Sequence, residues 1–457
     1  MLGGEFFKYF TENFGHYPDD RTVLSPQSLH EDAVRPGMSP GNQDTIVILY
    51  TGGTIGAKQT ADGYAPTVID TLEDFAALHP ELAAQLLVLK TRYPNTKFAF
   101  ESIPPLDSGA MTDANRFNVI EAISNLSQKY GTKMLSLIAL HGTDSAVETA
   151  CLLDNFVGDG GVPLFVVSSQ YAPGRLGGDG AANFLHAVSM SHCNISGTYL
   201  VAAGKIYHPA DCRKKSDSGV HIFGTEDYGF GEAGEVFDGG VKMRVPFTAR
   251  GYDALSLPYA PKEVIELGRN MDTKGRFVYI ANSLTTHDIQ AKADSLNELH
   301  HDLVFIEARG ASSVTESALK AATDAASVGI PAIVASTVPQ SSGDIHYAIA
   351  ADLNKPGILR APGIASILHR RYAALSAIAY SKYLVNRIDI AQMSRTTDPL
   401  RPYLSKENTS GPYIGNEVSA LYAIFAGVFT RGQRKGIDYA KAPALHQAGF
   451  QRLIRSL

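Results

Sequence analysis

Residues 45–54 read TIVILYTGGT. The first six, Thr45–Tyr50, are a short run rich in β-branched residues, and it ends in Thr51-Gly52-Gly53-Thr54. An unbroken apolar run closed by turn residues is the pattern of a parallel strand buried on both faces. The turn then falls at the strand's C-terminal end, the edge at which open α/β sheets bind ligands. A glycine pair there lets backbone approach a ligand closely and leaves amide N–H groups free to hold an oxyanion. Taken alone, TGGT reads equally well as a plain turn.

Working outward, strand and helix patterns alternate. The spacing predicts a helix from about Asp113 to Tyr130, a strand Met134–Leu140, a helix Ser145–Phe156, a strand Pro163–Ser168, a helix Asp179–Met190 and a strand Thr198–Ala203. Strict alternation means a wound, mostly parallel sheet with its loops on one edge. Tyr207–Tyr252 is glycine-rich and reads as irregular. A second α/β series follows, with strands Phe277–Ala281, Leu303–Glu307 and Ala332–Ser336 and helices Val314–Ser327 and Ser366–Arg387. The fold class is therefore α/β, a larger N-terminal wound domain plus a smaller C-terminal α/β domain. The expected divisions are an N-terminal extension over 1–43, a catalytic domain over 44–255, a smaller domain over 274–392 and a C-terminal extension over 393–457, with the boundary near 255–273.

Bulk properties agree with two cores. A chain of 457 residues is too long for one. At 44% hydrophobic and 19% charged the composition is ordinary for a globular protein. A formal charge of −6 argues against a dedicated nucleic-acid binder and favours a small-molecule substrate. Three cysteines, Cys151, Cys193 and Cys212, form neither a disulfide framework nor a spaced metal site, which fits a reducing compartment. Acidic residues such as Glu5 and Glu12 interrupt the N-terminus, so no export signal is read there. Val418–Phe429 is well short of the roughly 20 apolar residues a membrane span needs. The 14 histidines show no HExxH or paired His/Cys spacing, so neither metal nor cofactor is expected.

Three loops at the ends of the early strands carry hydroxyls and carboxylates that could meet: Thr51–Thr54, Asp107-Ser108 and His141-Gly-Thr143-Asp144-Ser145. The stretches ILYTGGTIGAKQTADGY (48–64) with Pro66, PLDSGAMT (105–112), LHGTDS (140–145) and VVSSQYAPGRLGGDGAAN (166–183) stand in collinear order. This order and spacing resembles the L-asparaginase family, and its cytoplasmic type I branch in particular, through Gly63-Tyr64-x-Pro66 and the Asp107-Ser108 pair.

The resemblance implies an amide hydrolase in which Thr54 is the primary nucleophile and forms an acyl-enzyme ester. It implies that Tyr64 sits on a lid, Gly56–Thr67, and contacts Thr54 on closure. Thr143 and Asp144 match the second threonine and the acid of the other catalytic group, and Lys215 is the best match to its lysine, with Lys214 as the alternative register. Gly53, Asp107, Ser108, Gly142 and Ser169 match the substrate-binding set. An alcohol is a poor nucleophile at neutral pH, so such a threonine needs a base and a stabilised oxyanion. A lysine serves as base only when burial or charge lowers its pKa from about 10.4. The carboxylate of a free amino acid suits backbone amides and the Ser108 hydroxyl, and its ammonium suits Asp107 and Asp144.

Plainer readings stand beside these. Asp144 is also a helix N-terminal acid favoured by the dipole, and both roles can hold. Lys215 lies in a charged run, Asp211–Asp217, of the kind that is usually solvated loop. His141 is a packed strand-end histidine without a chemical role.

The match is strong over 45–225, loose over 275–390 and absent elsewhere. Arg309-Gly-Ala-Ser-Ser-Val314 lacks the asparagine of the family's loop that reaches a neighbouring subunit, and Ser145 replaces a threonine. The leading expectation is hydrolysis of L-asparagine to L-aspartate and ammonia, with glutamine as a second candidate. Competing readings are an ammonia-releasing amidotransferase subunit and a slow-turnover amino-acid sensor. A homodimer or homotetramer is expected, with Glu307, Arg309, Ser312 and Ser313 as the trans contacts. The basic C-terminal residues Arg431, Arg434, Lys435, Lys441, Arg452 and Arg455, with an amphipathic helix near Glu417–Phe429, read as a solvated surface.

Overall fold

The structure is a computed structural model; it describes residues 22–24, 44–61, 63–157, 162–193, 195, 197–226, 232–237, 240–243, 259–295, 301–309, 313–327, 330, 332–339, 353, 358–361 and 366–385. Ser312, the basic C-terminal residues and the helix near Glu417–Phe429 lie outside these, as do nearly all of the two extensions. Two compact units divide the chain between Pro261 and Lys262.

The N-terminal unit is built on a nine-stranded sheet. Its parallel part comprises β2 (Thr45–Gly52), β5 (Lys97–Leu106), β6 (Met134–His141), β7 (Leu164–Ser168) and β8 (Thr198–Ala202), in the spatial order β5-β2-β6-β7-β8. Every residue of β2 and β6 is buried, as the continuous apolar runs require. Strand order reverses between β2 and β6, which makes the C-terminal ends of these two strands the topological switch point. TGGT ends one strand and HGTD follows the other, so the two most distinctive motifs open into the same crevice.

Helices α3 (Asp113–Tyr130), α4 (Ala146–Phe156) and α5 (Gly180–Ser191) connect the parallel strands. Thr112 and Asn115 form a reciprocal capping box at the start of α3, satisfying two otherwise unpaired backbone groups.

Three features differ from the sequence expectation. The stretch between Thr67 and Asp113, to which the sequence reading gives no element, folds as α1 (Leu72–Leu78), α2 (Pro80–Arg92) and β5. Leu87 and Val88 are exposed on α2 and blur its pattern, and β5 carries Pro104 and Pro105, which a strand tolerates only at a sheet edge. The lid segment is a hairpin of β3 (Ala57–Thr60) and β4 (Gly63–Pro66).

Third, the stretch read as irregular contributes ordered strands. A turn at Ala203 (φ 50°) and Gly204 (φ 75°) reverses the chain after β8 with both central residues left-handed, the geometry of a tight hairpin turn. β9 (Lys205–Tyr207), β12 (Glu232–Phe237) and β13 (Gly240–Met243) then extend the sheet antiparallel, and β1 (Thr22–Leu24) pairs at its edge. A separate hairpin joins β10 (Cys212–Lys214) to β11 (Phe223–Thr225).

The C-terminal unit is a four-stranded parallel sheet, β14 (Phe277–Ile280), β15 (Leu303–Ala308), β16 (Ala332–Ser336) and β17 (Ile358–Ala361), in that order, with helices α6 (Lys262–Thr273), α7 (Thr286–Ser295), α8 (Glu316–Ser327) and α9 (Ile367–Val385). Its alanine-rich α8 packs Ala318, Ala321, Ala322 and Ala325 into the core at helical spacing. Glu307 accepts hydrogen bonds from the Tyr279 hydroxyl and the Asn282 backbone amide, so its carboxylate is occupied within its own unit. Arg309 is exposed, and its amide donates to the Ser313 carbonyl.

Candidate active site

Glycine contacts bring the loops of the N-terminal unit together. Gly53 has φ +85°, and a Cβ there would lie 2.2 Å from Gly142 Cα, so the two backbones touch. A Cβ on Gly142 would lie 2.4 Å from Ser108 Oγ, and one on Gly52 would lie 2.4 Å from the backbone N and O of Leu106. TGGT, DS and HGTD thus meet at a point that excludes side chains at 52, 53 and 142. The Thr51 hydroxyl donates to the Leu140 carbonyl at 2.9 Å, fixing the turn to β6.

Thr54 opens a single 3₁₀ turn, Thr54–Gly56, directly after Gly53, and is half-buried. Ser108 is buried; its hydroxyl accepts from the Asp144 amide at 3.1 Å, and its carbonyl accepts from the Ser145 hydroxyl at 2.8 Å. The serine that stands at 145 is therefore a lock between the two loops.

Asp107 and Asp144 are both exposed. Asp107 Oδ1 accepts from the Gly109 amide at 2.9 Å. Asp107 Oδ1 and Asp144 Oδ2 lie 3.4 and 3.6 Å from the point that a Gly109 Cβ would occupy. The two carboxylates therefore approach the same face of Gly109.

The lysine that reaches the site is Lys214, not Lys215. Lys214 Nζ donates to Thr143 Oγ1 at 2.9 Å and to Asp144 Oδ1 at 2.5 Å. Side chains alternate across β10: Cys212 is buried, Arg213 exposed, and Lys214 shares the inward face of Cys212. Lys215 falls to the other side, where its side chain lies along Gly224 of β11, with Nζ 3.1 Å from that residue's ideal Cβ position. Because Lys214 donates to the Thr143 oxygen, the hydroxyl's own hydrogen is available for a second partner.

His141 is wholly buried, and burial lowers its pKa to about 4. The Gly142 carbonyl, 2.7 Å from Nδ1, can only accept, so Nδ1 carries the proton. Nε2 then accepts from the Thr149 hydroxyl at 2.9 Å. This histidine braces the strand end.

Tyr64 stands on the lid hairpin opposite Gln59 and is 47% exposed, with no hydrogen bond to Thr54 among the described residues. Ser169 is fully buried, and its hydroxyl lies 2.9 Å from Asp179 Oδ1 and 2.5 Å from the Tyr171 carbonyl. It thus anchors the loop after β7. Contacts therefore join Gly53, Ser108, Gly142, Thr143, Asp144 and Lys214, with Thr54 and Asp107 adjoining them in the chain. The two-residue period Cys212/Lys214 singles out Lys214 only once the three-residue strand is known.

A family model described as "Asparaginase, N-terminal" matches residues 45–247. L-asparaginase 1 of Escherichia coli (strain K12) is 32% identical over 144 residues, 32% of this chain and 39% of that protein. The chain thus spans about two-fifths of that relative's length. An L-asparaginase of Bacillus licheniformis is 26% identical over 240 residues, 52% of this chain and 69% of that protein. Among solved structures, a probable cytoplasmic L-asparaginase from Campylobacter jejuni superposes with a TM-score of 0.55 at 21% identity, covering 79% of this chain and 99% of that one. At that identity the likeness speaks for the α/β fold. No helix among the described residues is long and apolar enough to cross a membrane.

Proposed function

We propose, on the premise that residues 45–247 belong to the asparaginase family, that this protein is an L-asparaginase-type amidohydrolase working through a Thr54 ester. The observation that carries the reading is the contact of Lys214 Nζ with both Thr143 Oγ1 and Asp144 Oδ1 at the switch point where the TGGT turn opens. A lysine, a hydroxyl and a carboxylate joined beside a second threonine form a proton relay next to a candidate nucleophile.

In this reading the substrate is a free amino acid with a side-chain amide, L-asparagine first. Its ammonium lies between Asp107 and Asp144, and its carboxylate takes the Ser108 hydroxyl and nearby backbone amides. Thr54 Oγ1 attacks the amide carbon. The Thr54 proton passes through Thr143 and Lys214 to the departing nitrogen, which leaves as ammonia, and water then hydrolyses the ester to aspartate and regenerates Thr54. Tyr64 closes over the site with the lid.

Ammonia release from asparagine and glutamine, measured on the full chain beside Thr54→Ala, tests the reading. The wild type turns over, Thr54→Ala loses at least about a thousandfold in kcat, and hydroxylamine intercepts the ester as a hydroxamate. Near-native turnover by Thr54→Ala would end the nucleophile assignment.

The enzyme is further proposed to be cytoplasmic and to work as a homodimer or homotetramer. Its three cysteines are buried free thiols, which suits a reducing compartment. Sedimentation at assay concentration checks the assembly, and a fully active monomer would dismiss it.

A further inference from the structure

We infer that Asp179, which lies outside the catalytic set, is a positioning residue that holds the Thr54 turn and the Lys214 loop in register; the inference rests on the hydrolase reading above. Asp179 is 6% exposed and precedes the first turn of α5. Its carboxylate accepts from the Ser169 hydroxyl at 2.9 Å, the backbone amides of Gln170 and Tyr171 at 3.1 Å, and Asn183 Nδ2 at 3.0 Å. Three N–H donors and a hydroxyl whose one hydrogen is shared with the Tyr171 carbonyl, together with the positive end of α5, keep a buried carboxylate solvated with no cation hydrogen-bonded to it among the described residues.

Two arms leave this hub. Along the first, Gln170, whose amide Asp179 fixes, sends Nε2 to the Asp217 carbonyl at 2.5 Å. Asp217 lies three residues beyond Lys214, in the segment whose amides at Lys215 and Ser216 donate to the Ile222 carbonyl. This bond therefore ties down the far end of the loop that carries the lysine.

Along the second arm, Gly180 packs against the nucleophile turn. A Cβ at Gly180 would lie 2.7 Å from His79 Cε1 and 3.2 Å from Ile55 Cγ1. His79 Nε2 is 2.9 Å from the Ile55 carbonyl, the residue after Thr54. The hub is itself anchored below, because Asn183 Nδ2 also donates to the Ser168 carbonyl and its Oδ1 accepts from the amide of Ala203, the left-handed residue of the β8–β9 turn. One carboxylate thus sets the distance between two segments that are 160 residues apart in sequence, Thr54 and Lys214.

Amide hydrogen exchange and steady-state ammonia release on the full chain test this, using Asp179→Asn and Gln170→Met. Asparagine at 179 keeps one acceptor but turns an NH₂ toward the Gln170 and Tyr171 amides. Expected for Asp179→Asn is faster exchange at Gly56 and at Lys215–Ser216 together, with kcat lower by about 10- to 100-fold and KM moving less than about threefold. Gln170→Met, which cuts only the first arm, speeds exchange at Lys215–Ser216 and leaves Gly56 unchanged; it also serves if the Asp179 variant does not fold. Exchange that rises evenly over the unit, or a kcat untouched by either change, overturns the assignment. A wild type that releases no ammonia retires the hydrolase reading, while the exchange pattern still decides whether Asp179 couples the two segments.

Discussion

Lys214 Nζ sits 2.9 Å from Thr143 Oγ1 across 71 residues of sequence, and the same ammonium holds Asp144 Oδ1 at 2.5 Å. The contact separates two adjacent lysines by position. Lys214→Met is expected to lose about a thousandfold or more in kcat, because members of such a unit act together. Lys215→Met, on the opposite side of the hairpin, should stay within about threefold of wild type. Parallel assays of the two variants decide the register, and a silent Lys214→Met would remove the lysine from the relay.

That one-residue difference marks the limit of what the sequence tells. The parallel strands were legible because Thr45–Tyr50 and Met134–Leu140 are predominantly apolar runs, broken in the second only by Ser136, and glycine pairs punctuate the loops at the binding edge. The lysine hairpin has only three residues per strand, too few for a two-residue period to stand out from a charged run. Ser169 shows a second limit: a hydroxyl at a strand end reads the same whether it faces a ligand or a buried Asp179, and only packing distinguishes them. The antiparallel extension was hidden because its reversal rests on Ala203 in a left-handed turn, where glycine or asparagine would have announced it.

Gly53 and Gly142 make the meeting of the loops a packing constraint that can be tested. Gly53→Ala must place a Cβ 2.2 Å from Gly142 Cα at φ +85°. With ψ 177° this is a positive-φ extended backbone essentially confined to glycine, which alone costs about 1–3 kcal/mol for another residue, and the backbone clash adds to it, so a clear fall in melting temperature is expected. Gly142→Ala meets Ser108 Oγ and Cβ at 2.4 and 2.5 Å and should raise KM by displacing Ser108. Gly63→Ala is the control: its φ is +122°, but nothing lies within 4 Å of the new Cβ, so it carries strain without a clash. Equal stability losses at 53 and 63 would show that the loops do not press on each other.

The β3–β4 hairpin is fixed at its base and exposed at Tyr64. Buried Tyr50 donates to the Thr67 carbonyl at 3.0 Å, with the Gly56 carbonyl at 3.3 Å, and the Thr67 amide donates to Gly56 O at 3.2 Å. Tyr64 near the tip is exposed. Exchange at Gln59–Ala65 should therefore slow when aspartate or asparagine is bound, while the base at Gly56 and Thr67 changes little. Tyr64→Phe should lower kcat more than it raises KM if the hydroxyl acts at the transition state. An unchanged kcat leaves Tyr64 as an apolar cover.

His141 gives the fold an acid limit through stability, with no part in the chemistry. Burial holds its imidazole neutral down to a pKa of about 4, whereas an unfolded chain protonates a histidine near 6.5. Between those values the unfolded state binds a proton that the native state refuses, so stability falls as pH drops through that window and levels off below about 4. The full difference is on the order of 3 kcal/mol. His79 and His186, also lowered by burial, add slope of the same sign. Urea unfolding of wild type and His141→Gln from about pH 7 to pH 4.5 should show a shallower loss for the variant, with the remaining slope owed to the other two histidines. The glutamine amide can still meet Thr149 or the Gly142 carbonyl, so the neutral end of the profile should suffer less than in His141→Ala. Identical slopes for wild type and His141→Gln would mean that the native structure admits the proton, and that the brace between β6 and α4 survives a charged imidazole.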